Sequence, residues 1–151
     1  MLERTGPNRG ELVKAQLTLQ ELEGKLERLL ALLAERRAER LDLETHIQEA
    51  AATGDMDRLV DLQNRAGVVE KTIAELRAAE TECTQRVESA RRYLYTLYVR
   101  LERLRQEFSG LMRRLASIDQ GESIPAEVQT SLGRIKIQLK AITGENSTGR
   151  L

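Results

Sequence analysis

The chain is poor in what a thick globular core needs. Aromatics make up 3% of 151 residues: no tryptophan, one phenylalanine (Phe108) and three tyrosines, Tyr93, Tyr95 and Tyr98. Large rings fill wide cores, whereas the narrow seam between two helices does without them. There are two prolines, Pro7 and Pro125, so long stretches run without a helix breaker. The one cysteine, Cys83, cannot form an internal disulfide, and a reducing cytoplasm is the expected setting. The one histidine, His46, comes without an HExxH or CxxC pattern, which excludes an ordinary zinc site. No Gly-rich phosphate loop and no Ser/His/Asp set is present. Neither enzymatic activity nor a cofactor or metal is expected. No stretch approaches the roughly 20 apolar residues of a membrane span, and no signal-like apolar run follows "MLERTGPNRG".

What is present is charge and leucine. Charged residues make up 32%, with 24 Lys+Arg balanced by 24 Asp+Glu. The balance hides an asymmetry: residues 1–85 carry 12 basic against 17 acidic side chains, net −5, and residues 86–151 carry 12 against 7, net +5. From Leu12 a run of apolar residues steps alternately by three and four: Leu12, Ala15, Leu19, Leu22, Leu26, Leu29, Leu33, then Arg36 and Arg40, then Leu43, Ile47, Ala50. This is the a/d seam of a coiled coil. A second, longer run extends from Leu59 to Ile118 and is broken only by Glu80. It predicts a helix of about 60 residues, roughly 90 Å at 1.5 Å per residue. Two glycines inside it, Gly67 and Gly110, each cost about 1 kcal/mol relative to alanine and have no evident reason.

Between the runs stands "TGD", residues 53–55. Gly54 suits a left-handed helix terminus and Asp55 suits the cap of the next helix. The seam slips phase there, which favours a turn, and a short connection makes antiparallel neighbours. Folding back pairs Ala50 with Leu59, Ile47 with Leu62, and so on to Leu12 with Leu97. "DQGES" at 119–123, followed by Pro125 suited to a first helical turn, predicts a second turn. A third helix would then lay Leu132, Ile135, Leu139 and Ile142 against Leu111, Phe108, Leu104 and Leu101, ending at Gly144. The fold class is all-α: an antiparallel coiled coil of three helices, a long central helix flanked by two shorter ones folding back on it. Residues 1–10 read as a flexible lead-in, 11–118 as the long hairpin, 119–143 as the third helix and 144–151 as a flexible tail.

The free ends of the two outer helices should meet near residues 97–101. Tyr93 at g and Tyr98 at e flank that junction, where their rings fill the gap and their hydroxyls reach end groups. Tyr95 at b should be exposed. The alternative is that these rings, with Arg91 and Arg92, form a partner-binding patch. Arg36 and Arg40, in the seam, must reach solvent or pair. Arg37 with Glu70 and Glu39 with Arg65 are complementary pairs within reach across the edges. Cys83, at d, reads as a small buried hydrophobe.

Two features point outward. In "LERLLALLAERRA" (26–38), Leu30 at e and Leu32 at g are surplus to a two-stranded seam, and an apolar face wider than the seam meets another helix. Self-association as a homodimer is expected, with no membrane involvement. At the hairpin tip, Asp55 and Asp57 serve a helix start; the alternative is that they reach into a larger complex, such as a polymerase channel, and hold a metal ion. The Arg-rich stretch 86–114 admits nucleic acid as a partner, without favouring it, because no base-reading motif accompanies it.

The segments "LERLLALLAER" and "GDMDRLVDLQNRAGVVEKTIAEL" resemble, over about residues 19–80, the helical substrate chaperones of flagellar export. The likeness lies in an LL-rich first helix, a Gly-Asp turn and a Leu-periodic second helix, a pattern shared by many helical hairpins; the third helix does not take part in it. The functional expectation is a non-enzymatic protein–protein interaction module: an adaptor, an export-type chaperone or an assembly component.

Overall fold

A computed structural model describes residues 10–118 and 123–144. The expected lead-in and tail lie outside the described residues except for Gly10 and Gly144, and so does most of the second turn. The fold is all-α, with helix pairs packed antiparallel: α1 (Glu11–Thr53), α2 (Met56–Ala116) and α3 (Ala126–Thr143). No helix among the described residues is long and apolar enough to cross a membrane.

The periodicity sets the burial. Every position of the second seam, Leu59 through Ile118, is buried or half-buried, and in the first seam only Arg40 is exposed. The chain divides into two compact units: Gln20–Glu88, and Met1–Leu19 together with Ser89–Leu151.

The first unit is a two-helix hairpin. Its core holds Leu33, Leu43, Ala50, Leu62, Val69 and Ile73, with Ile47, Leu59, Ala66 and Leu76 packed against it. The turn uses two residues for three tasks. Gly54 takes φ +75°, a left-handed conformation that costs a residue with a Cβ about 1–2 kcal/mol. This bend lets the Asp55 N–H reach the Ala50 carbonyl at 3.1 Å and the Gly54 N–H reach that of Ala51 at 3.3 Å, the paired bonds of a Schellman terminus. The Asp55 side chain then accepts from the Arg58 N–H at 3.2 Å and starts α2. Replacing a cap of this kind by alanine costs about 1 kcal/mol. Further along the hairpin the Cys83 thiol, 3% exposed, donates to the Leu22 carbonyl at 3.5 Å, so the middle of α2 lies against the first half of α1.

The second unit gathers three helical segments. Leu101, Leu104, Ile135, Leu139 and Ile142 form its core, joined by Leu12, Phe108 and Leu111. Two cross-helix ion pairs fix the antiparallel run of α2 and α3: Arg114 to Glu127 at 3.1 Å and Arg134 to Glu107 at 3.2 Å. Pro125 stands one residue earlier than expected, in the cap position with φ −57° and ψ 141°, its carbonyl accepting from Val128 and Gln129. The cause is the expected one, since a proline has no N–H to leave unpaired. Gly144 ends α3 at φ 75°, its N–H bonded to the Lys140 carbonyl at 2.7 Å. The outer helices do meet: Gly10 is buried, and a Cβ placed there would collide with backbone atoms of Ile142, Thr143 and Gly144.

Candidate functional site

In the hairpin unit, the two surplus leucines are left outside the seam. Leu30 is 46% exposed and Leu32 is 44% exposed. As e and g residues they border opposite sides of α1, so they make two strips separated by the buried seam. On the e side, Leu30 continues into Ala34 and Leu41, both exposed, Leu41 at 61%.

The arginines sort themselves on the same side. Arg36 keeps its seam position half-buried and pairs within α1, to Glu39 at 2.6 Å and Glu35 at 3.7 Å. Arg40 swings out to solvent. The anticipated cross-helix pairs do not form: Glu39 is taken by Arg36, Arg65 bonds Asp61 at 3.5 Å, and no ion pair joins Arg37 to Glu70 among the described residues. Partners one turn away on the same helix are reached with less side-chain ordering than partners across a seam. Arg37 and Arg40 instead join Arg77 around an open cleft of about 250 Å³ with Leu41 and Ile73 in its wall. None of these three guanidinium groups has a carboxylate within ion-pair distance among the described residues. Arg77 was not foreseen. The available signal was its e position on α2, facing the e side of α1 that carries Arg37.

In the other unit the tyrosines flank the start of α1. The Tyr93 hydroxyl donates to Glu11 Oε2 at 3.0 Å, and Gln16 Nε2 donates to the Tyr98 hydroxyl at 2.9 Å. These are g-to-g and e-to-e partners, as antiparallel packing requires. The hydrogen bond to the Glu11 carboxylate, then desolvation and the Glu11 charge, push the Tyr93 phenol above its ordinary pKa, with Arg100 opposing. Both rings stay near half exposed, at 48% and 45%, while Tyr95 stands out at 69%. Arg91 and Arg92 are exposed beside it. Beyond Tyr98, a shallow hollow of about 360 Å³ is lined by Val99, Glu102, Arg103 and Gln106.

At the hairpin tip, Asp55 is engaged as a cap and Asp57 lies in the first turn of α2. Among the described residues, no three acidic, histidine or cysteine side chains gather as a metal site would need. His46 is half-buried, with Nδ1 at 2.8 Å from the Asp42 carbonyl on its own helix.

Charge divides with the structure. Residues 20–88 carry 10 Lys+Arg against 16 Asp+Glu, net −6, while residues 1–19 and 89–151 together carry 14 against 8, net +6. No family model, curated protein or solved structure matches the chain, so the likeness to flagellar export chaperones has no support from these comparisons.

Proposed function

We propose that the chain is a non-enzymatic protein–protein interaction module, working in the cytoplasm as an adaptor, chaperone or assembly part and associating with itself through the flanks of its helical hairpin. The observation that carries this reading is the apolar flank left outside a completed seam, Leu30 at 46% and Leu41 at 61% exposure. Burying one such leucine against a partner is worth about 1.5–3 kcal/mol, enough to hold a second helix when two or three act together. The lone thiol, buried and without a second cysteine to pair with, suits a reducing compartment.

Sedimentation equilibrium tests the reading. A dimer at micromolar concentration is expected, weakened by Leu30→Ser. A wild-type protein that stays monomeric at high micromolar concentration refutes it.

The net +6 of the other unit supports a second reading, in which that unit meets an acidic partner through Arg91, Arg92 and Tyr95. Were the partner a nucleic acid, binding would fall steeply with salt. An electrophoretic shift at two salt concentrations separates that case from an acidic protein.

A further inference from the structure

The flank of α1 that carries Leu30 has a charge at each end. Glu27, Leu30, Ala34, Arg37 and Leu41 follow one another by three, four, three and four residues along one stripe, and all five are exposed. The first four are symmetric about position 32: Glu27 and Arg37 lie equally far from it, and so do Leu30 and Ala34. Two copies of the stripe crossing antiparallel therefore place Glu27 against Arg37 twice, and the large Leu30 against the small Ala34 twice. Such a surface is self-complementary in the way a two-fold interface demands.

From this symmetry and the cleft beside it we infer that a second copy of the chain docks on this stripe about a two-fold axis. Its Glu27 carboxylate enters the cleft formed by Arg37, Arg40 and Arg77. The inference rests on the self-association proposed above and specifies its surface and its partner.

The cleft is suited to a carboxylate. Arg36, Arg65 and Arg86 of the same unit already hold acidic partners on their own helices. Arg37, Arg40 and Arg77 line one opening and have none among the described residues, although the unit as a whole is net negative. Leu41 and Ile73 line the opening; an apolar wall lowers the local dielectric and strengthens charge-assisted hydrogen bonds to guanidinium. Ile73, 6% exposed, belongs to the hairpin core and anchors that wall. A second copy is favoured over an unrelated acidic helix because the same stripe supplies both the acid and the apolar complement, at matching spacings. Leu32, on the g side, takes no part, which separates this surface from any contact made by the opposite flank.

Charge exchange tests the pairing, with sedimentation equilibrium as the readout and circular dichroism as the check on folding. Wild type is expected to be a dimer that weakens with rising salt. Glu27→Arg and Arg37→Glu each put like charges together twice, and each should weaken association about tenfold or more. An equimolar mixture of the two variants should restore it as a heterodimer, because both crossings then pair opposite charges. Spin labels on Ala34→Cys in a Cys83→Ser background give a second measure that needs no charge change. Labels in the two copies should lie within about 20 Å, given the 8–10 Å that separate packed helix axes. A wild-type monomer overturns this inference and the proposed self-association together. A dimer that ignores both exchanges, fails to recover on mixing, or holds the labels far apart overturns the two-fold pairing alone. A dimer that persists unchanged while an acidic helical peptide occupies the cleft also overturns it, in favour of a foreign partner there.

Discussion

The two units are built from the same heptad pattern and end up with different surfaces. In the hairpin unit, one helix pair closes a seam over Leu33, Leu43, Leu62, Val69 and Ile73 and leaves leucines on both flanks. In the other unit, three segments converge, and the flanks carry tyrosines whose hydroxyls are bonded to Glu11 and Gln16 at the start of α1. The first unit is net −6 and the second net +6. Where only two helices meet, a stripe wider than the seam has no partner within the pair and remains available. Where helix ends abut, tyrosine hydroxyls bond to the start of α1, and apolar side chains such as Ile137, 72% exposed, stand on the outer surface. The contrast is one of surface: an apolar stripe beside a closed seam on the hairpin, and a hydrogen-bonded start of α1 in the three-segment unit.

The largest effect should come from truncating the core of the three-segment unit. Ile135 is 1% exposed, and Ile135→Ala should cost about 2–5 kcal/mol, as large-to-small changes in buried positions do. Hydrogen exchange should show protection lost in α3 and kept in residues 20–53. Equal loss in both places would show that the two units unfold as one and would erase the distinction. Gly10→Val should come next. Its side chain would press into the backbone at Ile142–Gly144, and overpacking costs about 1–3 kcal/mol. Thermal melting that is unchanged would mean the helix ends do not touch in solution.

Smaller and opposite in sign is the effect of removing the internal glycines. A Cβ at Gly67, in the hairpin, or at Gly110, in the other unit, meets nothing within 4 Å. Either change to alanine should stabilise by about 0.5–1 kcal/mol, because glycine loses more chain entropy on entering a helix. Should Gly67→Ala lower stability or abolish association while Gly110→Ala does not, Gly67 lies under a partner.

The smallest effect concerns Tyr93. Its phenol is raised in the folded state, chiefly by the Glu11 hydrogen bond. A raised pKa means that the stabilisation is complete below the unfolded value of about 10 and is lost as pH climbs through the folded one. Tyr93→Phe should therefore be slightly less stable than wild type at neutral pH, with the gap closing above pH about 10. A gap that stays constant with pH would show that the hydroxyl contributes nothing through Glu11.

Much of the fold was legible in the sequence. Seam positions, the turn at Gly54 and Asp55, the C-terminal glycine of α3 and the exposure of Tyr95 all follow from properties of one segment at a time. The candidate surface was legible only in part. Leu30 and Leu32 stand out as surplus to the heptad, whereas Arg77 gains meaning only from its neighbours on α1. The ion pairs were misplaced for a definite reason: Glu39 and Arg65 each had partners both across the seam and along their own helix, and the nearer ones won.

By itself, the order of apolar and polar residues determined how many helices form, where they stop and which stripe of each is buried, because helix periodicity and terminal capping are local. Tertiary structure alone decided that Gly10 sits too close to the backbone of Ile142, Thr143 and Gly144 to carry a side chain, that three arginines share one cleft, and which acceptor each hydroxyl and guanidinium finds. Those outcomes depend on distances between segments far apart in sequence and on competition among several reachable partners, and the heptad pattern carries neither.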